Sequence, residues 1–283
     1  QGTASVTLAG LLSALRVTGG SLADSRILFL GAGEAGLGTG DLVTASLVAQ
    51  GIPEAEARKR CWFVDSSGLI VQGRERLTPH KAQFAHPHAP VADLLAAGKT
   101  LKPTALVGVS SDARAFTPGV LAEMAHLNQR PIIFALSNPT SKAECTATEA
   151  YTATAGRAVF ASGSPFAPVN IGNQTFTPGQ CNNAYIFPGL GLGVVATRAK
   201  HVDNDMFLIA AQSLAQQVEQ SDLDCGRIFP ALSRIRQVSR EIAVAVAEHI
   251  FAKGLADVAR PKSVRALIEA NVYEPMYPTL DLR

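Results

Sequence analysis

Short apolar runs alternate with longer stretches of helical period through the first part of the chain. The run Arg26-Ile-Leu-Phe-Leu-Gly31 is apolar at consecutive positions, the pattern of a parallel strand covered on both faces. A helical stretch follows from about Ala35 to Gln50 and is stopped by Gly51 and Pro53. A short charged helix from Pro53 to Arg60 leads to a second apolar run, Cys61-Trp-Phe-Val-Asp65. After the turn Ser66-Ser-Gly68, Leu69-Ile-Val71 reads as a small extra strand, and a short helix is predicted near Val91 to Ala97. Ala105-Leu-Val-Gly-Val109 is the third main strand. Thr117-Pro118, a capping residue followed by proline in the first turn, opens a helix that runs to about Asn128. Pro131-Ile-Ile-Phe-Ala-Leu136 and Ala158-Val-Phe-Ala161 are the fourth and fifth strands, with a helix around Ala147 to Thr154 between them.

Five strands separated by helices predict an α/β fold, a Rossmann-like doubly wound parallel sheet with helices on both faces. Beyond Gln180 the pattern turns helical. Phe207, Ala210, Ala211, Leu214 and Val218 recur at helical spacing, as do Leu232, Ile235, Val238, Ile242 and Val246, so helices are added at the C-terminal end with an apolar face toward the body.

Composition narrows the class. The chain has 283 residues, of which 47% are hydrophobic and 17% charged, enough apolar material for a large core and too much for a disordered chain. Its 25 basic and 23 acidic residues leave a formal net charge of +2, which argues against nucleic acid as a partner. No run approaches the roughly 18 apolar residues of a membrane span. The most apolar stretch, Tyr185 to Ala196, is broken by Pro188, Gly189, Gly191 and Gly193. Cys61, Cys145, Cys181 and Cys225 are scattered, without metal-ligand spacing, and read as buried or incidental free thiols in a reducing compartment. The chain opens on Gln1 without a methionine or a leader pattern, so it is expected to be processed or a piece of something longer.

Gly31-Ala-Gly33-Glu-Ala-Gly36 follows the first strand and opens the first helix. Glycines at this spacing give a tight turn, let backbone approach a pyrophosphate and let helix and strand pack closely, with the phosphates at the helix N-terminus. Asp65 ends the second strand, where a ribose-facing group belongs. Ser66, Ser67, Arg74, Arg76 and Lys81 follow it, so the residues alone leave NAD and NADP open. Ser110-Ser-Asp112, Ser137-Asn138, Ser162-Gly-Ser164 and Asn182-Asn183 place further polar groups past strand ends. Asn can donate to a carboxylate without adding charge, which suits a small acid beside a nicotinamide. His80, His86 and His88 lie on a polar stretch and read as solvated surface rather than metal ligands.

The opening Gln1-Gly-Thr-Ala4, Ile27-Leu-Phe-Leu-Gly-Ala-Gly-Glu-Ala35, Phe134-Ala-Leu-Ser-Asn-Pro-Thr-Ser-Lys-Ala-Glu-Cys145, Phe160-Ala-Ser-Gly-Ser-Pro-Phe166 and Pro178-Gly-Gln-Cys-Asn-Asn-Ala-Tyr-Ile-Phe-Pro-Gly189 resemble the malic enzymes, over essentially the whole chain. That family oxidises L-malate with NAD(P)⁺ and a divalent metal and decarboxylates the product to pyruvate. The resemblance implies that residues 1–283 form its NAD(P)-binding domain. It places Thr3, Gly31, Ala32, Gly33, Glu34, Ala35, Asp65, Ser66, Lys81, Val109, Ser110, Ser137 and Asn138 against the cofactor. Asn138, Asn182 and Asn183 would hold malate. The Asp65-Ser66-Ser67 run with Lys81 looks like the NADP-preferring branch, NAD remaining possible. Ser111-Asp-Ala-Arg-Ala115 departs from the family, most members carrying a glycine-rich loop there.

The family's general-base Lys, its proton-donating Tyr and its acidic ligands for Mg or Mn lie N-terminal to the stretch that this chain resembles. No catalytic or metal-binding residue is therefore expected in this chain, which alone is expected to show no turnover. The full-length enzyme is expected to be a cytoplasmic homo-oligomer, without membrane or nucleic-acid partners. An isolated NAD(P)-binding module and a malolactic-type enzyme are the alternatives.

Overall fold

The computed structural model describes residues 1–274. Nine strands form in chain order: β1 (Ile27–Leu30), β2 (Cys61–Asp65), β3 (Gly68–Leu69), β4 (Ala105–Gly108), β5 (Ile132–Ala135), β6 (Val159–Ser162), β7 (Val169–Ile171), β8 (Gln174–Phe176) and β9 (Gly179–Gln180). Seven of them make one sheet in the order β3-β2-β1-β4-β5-β6-β9, and β7 and β8 pair as a separate antiparallel ribbon. All neighbours in the main sheet run parallel except β3, which pairs antiparallel with β2.

The central strands are apolar throughout because each side of the sheet has its own cover. From β1, Ile27 and Phe29 enter one core and Leu28 and Leu30 the other; β5 divides in the same way, Ile132 and Phe134 against Ile133 and Ala135. Period-two alternation sends successive side chains to opposite faces, so consecutive apolar residues require two layers of helices.

Twelve helices supply those layers and the C-terminal addition: α1 (Gly2–Thr18), α2 (Glu34–Val48), α3 (Glu54–Arg58), α4 (Pro79–Ala82), α5 (Leu94–Leu101), α6 (Pro118–Leu127), α7 (Ala147–Ala153), α8 (Phe187–Thr197), α9 (Asn204–Gln216), α10 (Gln220–Asp224), α11 (Ile235–Ala252) and α12 (Val264–Ala270). Leu94, Leu101, Val120, Leu121, Met124 and Tyr151 of α5, α6 and α7 cover one face. On the other face α1 and α2 lie against the sheet, with α9 and α11 packed beyond them. The doubly wound parallel sheet and the added C-terminal helices are as expected from the sequence.

Several details differ. The opening helix α1 carries no amphipathic signal, since Gly2 and every residue from Ala4 to Leu11 are buried; a helix enclosed on all sides shows no apolar stripe. Gly68 and Leu69 form the extra strand, while Val71 only bridges to His86. The helix expected near Val91 begins at Leu94, because the Asp93 side chain accepts the Ala96 N–H and fixes the N-terminus. Leu232 is not on the apolar face of α11: it lies in a preceding short turn and is 55% exposed. The β7–β8 ribbon and the short β9 had no periodic signal of useful length.

α8 packs against α11 through small residues. A Cβ on Gly189 would lie 2.6 Å from the Ser239 carbonyl oxygen and 2.7 Å from Ile242 Cβ, whereas a Cβ on Gly191 would meet nothing within 4 Å. Gly189→Ala should therefore destabilise the fold by about 1–3 kcal/mol through overpacking. Gly191→Ala should be neutral or stabilising by up to about 1 kcal/mol, through helix propensity. Denaturant unfolding of the two variants beside the parent checks the contrast; equal effects would refute the close helix contact.

Candidate functional site

The chain leaves β1 for α2 and β2 on one side, then returns to place β4 on the other side of β1. This reversal opens a crevice at the carboxyl end of the sheet, where ligands of open α/β sheets bind. Gly31 turns the chain there with φ of 107°, a left-handed conformation suited to glycine. A Cβ on it would fall 2.8 Å from the Val109 carbonyl oxygen and 2.9 Å from Ser110 Cα, so the loops after β1 and β4 touch backbone to backbone. Gly36 allows the first turn of α2 to sit on that loop, since its Cβ would be 2.4 Å from the Gly31 carbonyl oxygen. Gly33 differs: its Cβ would meet nothing within 4 Å and would project into open space. Gly33 caps α2 with Glu34 and Ala35 in the first turn, and Ala32 is buried beneath. The free N–H groups at this helix start, with the helix dipole behind them, suit a pyrophosphate.

At the end of β2, Asp65 gathers cations. Its Oδ1 accepts from Arg74 at 2.6 Å and from the Ser67 N–H at 3.0 Å, and its Oδ2 accepts from Lys81 at 2.7 Å. Burial acts to raise the Asp65 carboxyl, but Lys81, the Ser67 N–H and Arg74 outweigh it and hold the carboxyl below its ordinary value. The surrounding cleft, about 560 Å³, is lined by Ser66, Ser67, Arg74, Arg76 and Lys81 together with Asp65 and Glu75. Arg74 was only one of several nearby basic residues in the sequence; its nine-residue distance from Asp65 hid a contact made by the β3 turn, where its Nη1 also donates to the Gly68 carbonyl.

A second hollow, about 290 Å³, brings Thr3, Asn138, Gly163, Ser164, Gln180, Asn182 and Asn183 together from four separate segments. Ser164 Oγ donates to Asn138 Oδ1 at 2.6 Å, and Asn182 Oδ1 accepts the Ala184 N–H at 2.9 Å. Both bonds use the amide oxygen, which leaves the NH₂ donors free for an anion. Thr3 also borders a larger cleft between α1, α2 and α9, beside Glu34 and Ala35. The structure thus places Val109, Ser110 and Ser137 at the strand ends between the two hollows.

Behind these strand ends lies Glu144, which the sequence reading did not single out. It has no exposure and accepts from Ser110, from the Ser137 N–H and from Ser137 Oγ. Burial pushes its carboxyl above the ordinary value against these donors. The loop of residues 111–115 has Ser111 at φ 61° and Arg114 at φ 66°, left-handed positions where glycine would be relaxed.

The histidine cluster is not simply solvated surface. His86 is buried, bonds the Cys61 carbonyl at 2.9 Å and packs on Trp62 with ring centroids 4.6 Å apart; His80 pairs with Asp41 at 2.7 Å. Asp203, Asp205 and His249, which could jointly approach an ion, lie on α9, its N-cap and α11, outside both hollows. His249 stands 3.2 Å from Asp203, and Lys253 stands 3.8 Å from Asp205.

Residues 1–251 match the family model described as malic enzyme, NAD binding domain. The chain is 52% identical over 280 residues to an NADP-dependent malic enzyme of Vitis vinifera, covering 98% of this chain and 47% of that protein. It is 50% identical over 279 residues to an NADP-dependent malic enzyme of Columba livia, covering 98% and 50%. A crystal structure of Entamoeba histolytica malic enzyme superposes with a TM-score of 0.74 at 25% identity, covering 96% of this chain and 52% of that one. The chain spans about half the length of the curated relatives it matches. Relatives named chloroplastic and mitochondrial also match, at 50% and 48% identity.

The space in front of Gly33 supplies a test of the crevice. Gly33→Ala should leave the unfolding midpoint unchanged, because nothing opposes the methyl group. It should weaken dinucleotide binding about tenfold or more by occupying the approach to the helix N-terminus. Calorimetric titration with NADP⁺, paired with thermal unfolding, reads both; unaltered binding would mean the pyrophosphate lies elsewhere.

Proposed function

This chain belongs to the malic enzyme family, matching its NAD-binding domain, and from that premise we propose that residues 1–283 form the dinucleotide-binding domain of an NADP-dependent enzyme that oxidises and decarboxylates L-malate to pyruvate. A bound nicotinamide would supply the hydride acceptor for the oxidation of malate. The residues of this chain bind and orient the two reactants. The Gly31–Gly33 turn and the start of α2 receive the pyrophosphate. Ser66, Arg74 and Lys81 receive the phosphate on the adenosine ribose. Val109, Ser110 and Ser137 support the nicotinamide end, and Asn138, Asn182 and Asn183, with Thr3 beside them, direct their donors at the malate carboxylates.

The observation that carries the NADP reading is the engagement of Asp65. A carboxylate at this strand end selects NAD when it is free to accept the ribose hydroxyls. Here both oxygens are already engaged, by Arg74, Ser67 and Lys81. The cleft holds three basic side chains against two carboxylates, and the Lys81 ammonium keeps donors beyond its single bond to Asp65. That excess of donors and charge suits a phosphate better than a hydroxyl.

A divalent metal such as Mg or Mn is part of the same proposal, as the resemblance implies, with its ligands and the acid–base pair N-terminal to the stretch that this chain resembles. A cytoplasmic setting and self-association also belong to it. The free state of all four cysteines supports the first, and the exposed Phe187, Val195 and Leu232 side chains supply apolar surface for the second. No helix of the described residues is long and apolar enough to cross a membrane.

Titration of the chain with NADP⁺ and NAD⁺ side by side tests the cofactor reading. NADP⁺ should bind more tightly. Lys81→Ala should weaken NADP⁺ about tenfold and NAD⁺ by less than about twofold, the loss of one charge-assisted hydrogen bond. Equal losses would remove Lys81 from the phosphate site, and tighter NAD⁺ binding by the parent chain would reverse the assignment.

A further inference from the structure

Glu144 is an acidic residue with zero exposure, and its carboxylate joins two loops that are far apart in sequence. Oε1 accepts from the Ser110 N–H at 3.3 Å and from Ser137 Oγ at 2.5 Å; Oε2 accepts from the Ser137 N–H at 3.2 Å. Ser137 Oγ in turn accepts the Ser111 N–H at 2.9 Å, which closes the network across the ends of β4 and β5. The Glu144 backbone is anchored separately. Its carbonyl accepts the Phe116 N–H at 2.9 Å, and the Ala143 carbonyl accepts the Arg114 N–H at 3.1 Å. The strand beside it is shaped around the acid: a Cβ on Gly108 would lie 2.4 Å from Glu144 Cδ.

Burying a carboxylate is costly, and an apolar side chain of similar volume would leave the Ser110 and Ser137 donors without their acceptor. What an apolar side chain cannot do is accept from two loops at once. Three donors converging on one rigid acceptor fix the separation of Ser110 and Ser137, and Asn138 follows Ser137 directly. The residues so fixed stand at the strand ends between the adenosine cleft and the asparagine-lined hollow.

We propose that Glu144 is a positioning residue for the nicotinamide half of the dinucleotide, setting the spacing of the Ser110 and Ser137 loops while lying behind them. The assignment rests on the dinucleotide reading above and adds a division of labour to it. The adenosine half is held by the Asp65, Arg74 and Lys81 cluster, to which Glu144 makes no bond, so the two halves respond separately.

Glu144→Gln keeps the shape of the side chain but replaces one accepting oxygen with an NH₂ group, which faces an N–H donor. The test measures the affinity of the parent chain and of Glu144→Gln for NADP⁺ and for adenosine 2′,5′-bisphosphate, which lacks the nicotinamide half. NADP⁺ binding should weaken about tenfold, the scale of one charged hydrogen bond, with the bisphosphate unchanged. A merely structural role would weaken both ligands by the same factor as the fold loosens. That result, or no change in either ligand, overturns the inference. Should Glu144→Gln fail to fold, Glu144→Asp carries the same comparison. It retains the charge but draws the oxygens back from the loops, and a smaller split in the same direction is expected, with equal losses or none again overturning the inference. A parent chain that binds neither ligand overturns the functional reading, and this assignment with it. A parent chain that binds both, beside a variant without the split, overturns this assignment alone.

Discussion

Everything in the crevice depends on two backbones meeting without a side chain between them. Gly31 packs on Val109 and Ser110 so closely that a single Cβ would be under 3 Å from backbone atoms of the β4 loop. That contact brings the ends of β1 and β4 together at the point where the strand order reverses. It also turns the chain so that the N-terminus of α2 points across the crevice, since Gly31 feeds directly into the Gly33 cap. The helix dipole and the strand-end loops then act on one ligand position, and neither would do so if the loops were held apart by a side chain.

The crevice is built for an anion with little net charge in the chain. The formal excess over the whole chain is +2, and the strand-end crevice offers an anion helix N–H groups, hydroxyls and amides rather than a basic face. Besides Glu34 in the first turn of α2, the site's formal charges include the Asp65 cluster and the buried Glu144, and the roles of these two carboxylates are opposite. Asp65 is partly exposed and organises two cations beside an open cleft. Glu144 is enclosed and organises the protein's own N–H and O–H groups. A carboxylate in the first position sets what the site attracts; in the second it sets where the loops stand.

Those differences also explain what could be read from the sequence. The five main strands and the helices between them were legible because consecutive apolar runs have one physical meaning in a sheet covered on both faces. The glycine turn was legible because its function requires absent side chains at fixed spacing. The helix α1 was not, because burial all round removes the periodicity that betrays a helix. Leu232 misled for the opposite reason: it continues the helical spacing of Ile235 and Val238 but precedes the helix start and faces solvent. His86 lies on a polar stretch, yet Trp62 and the Cys61 carbonyl draw it inside. Arg74 was one of several basic residues following Asp65, and Glu144 carried no signal of its own, since each acts through a partner that only the folded chain brings within reach.

The two ends of the site are built on different scales, and this sets how each responds to change. The cleft around Asp65 is local: residues 65 to 91 supply all of its lining, within one excursion from β2. The asparagine-lined hollow is assembled from Thr3 on α1, Asn138 after β5, Gly163 and Ser164 after β6, and Gln180 to Asn183 at β9. Its shape therefore depends on how α1 lies against α9 and how the β6 and β9 loops pair. The buried carboxylate of Glu144 stands between these regimes, a single side chain that holds the β4 and β5 loops in register with each other.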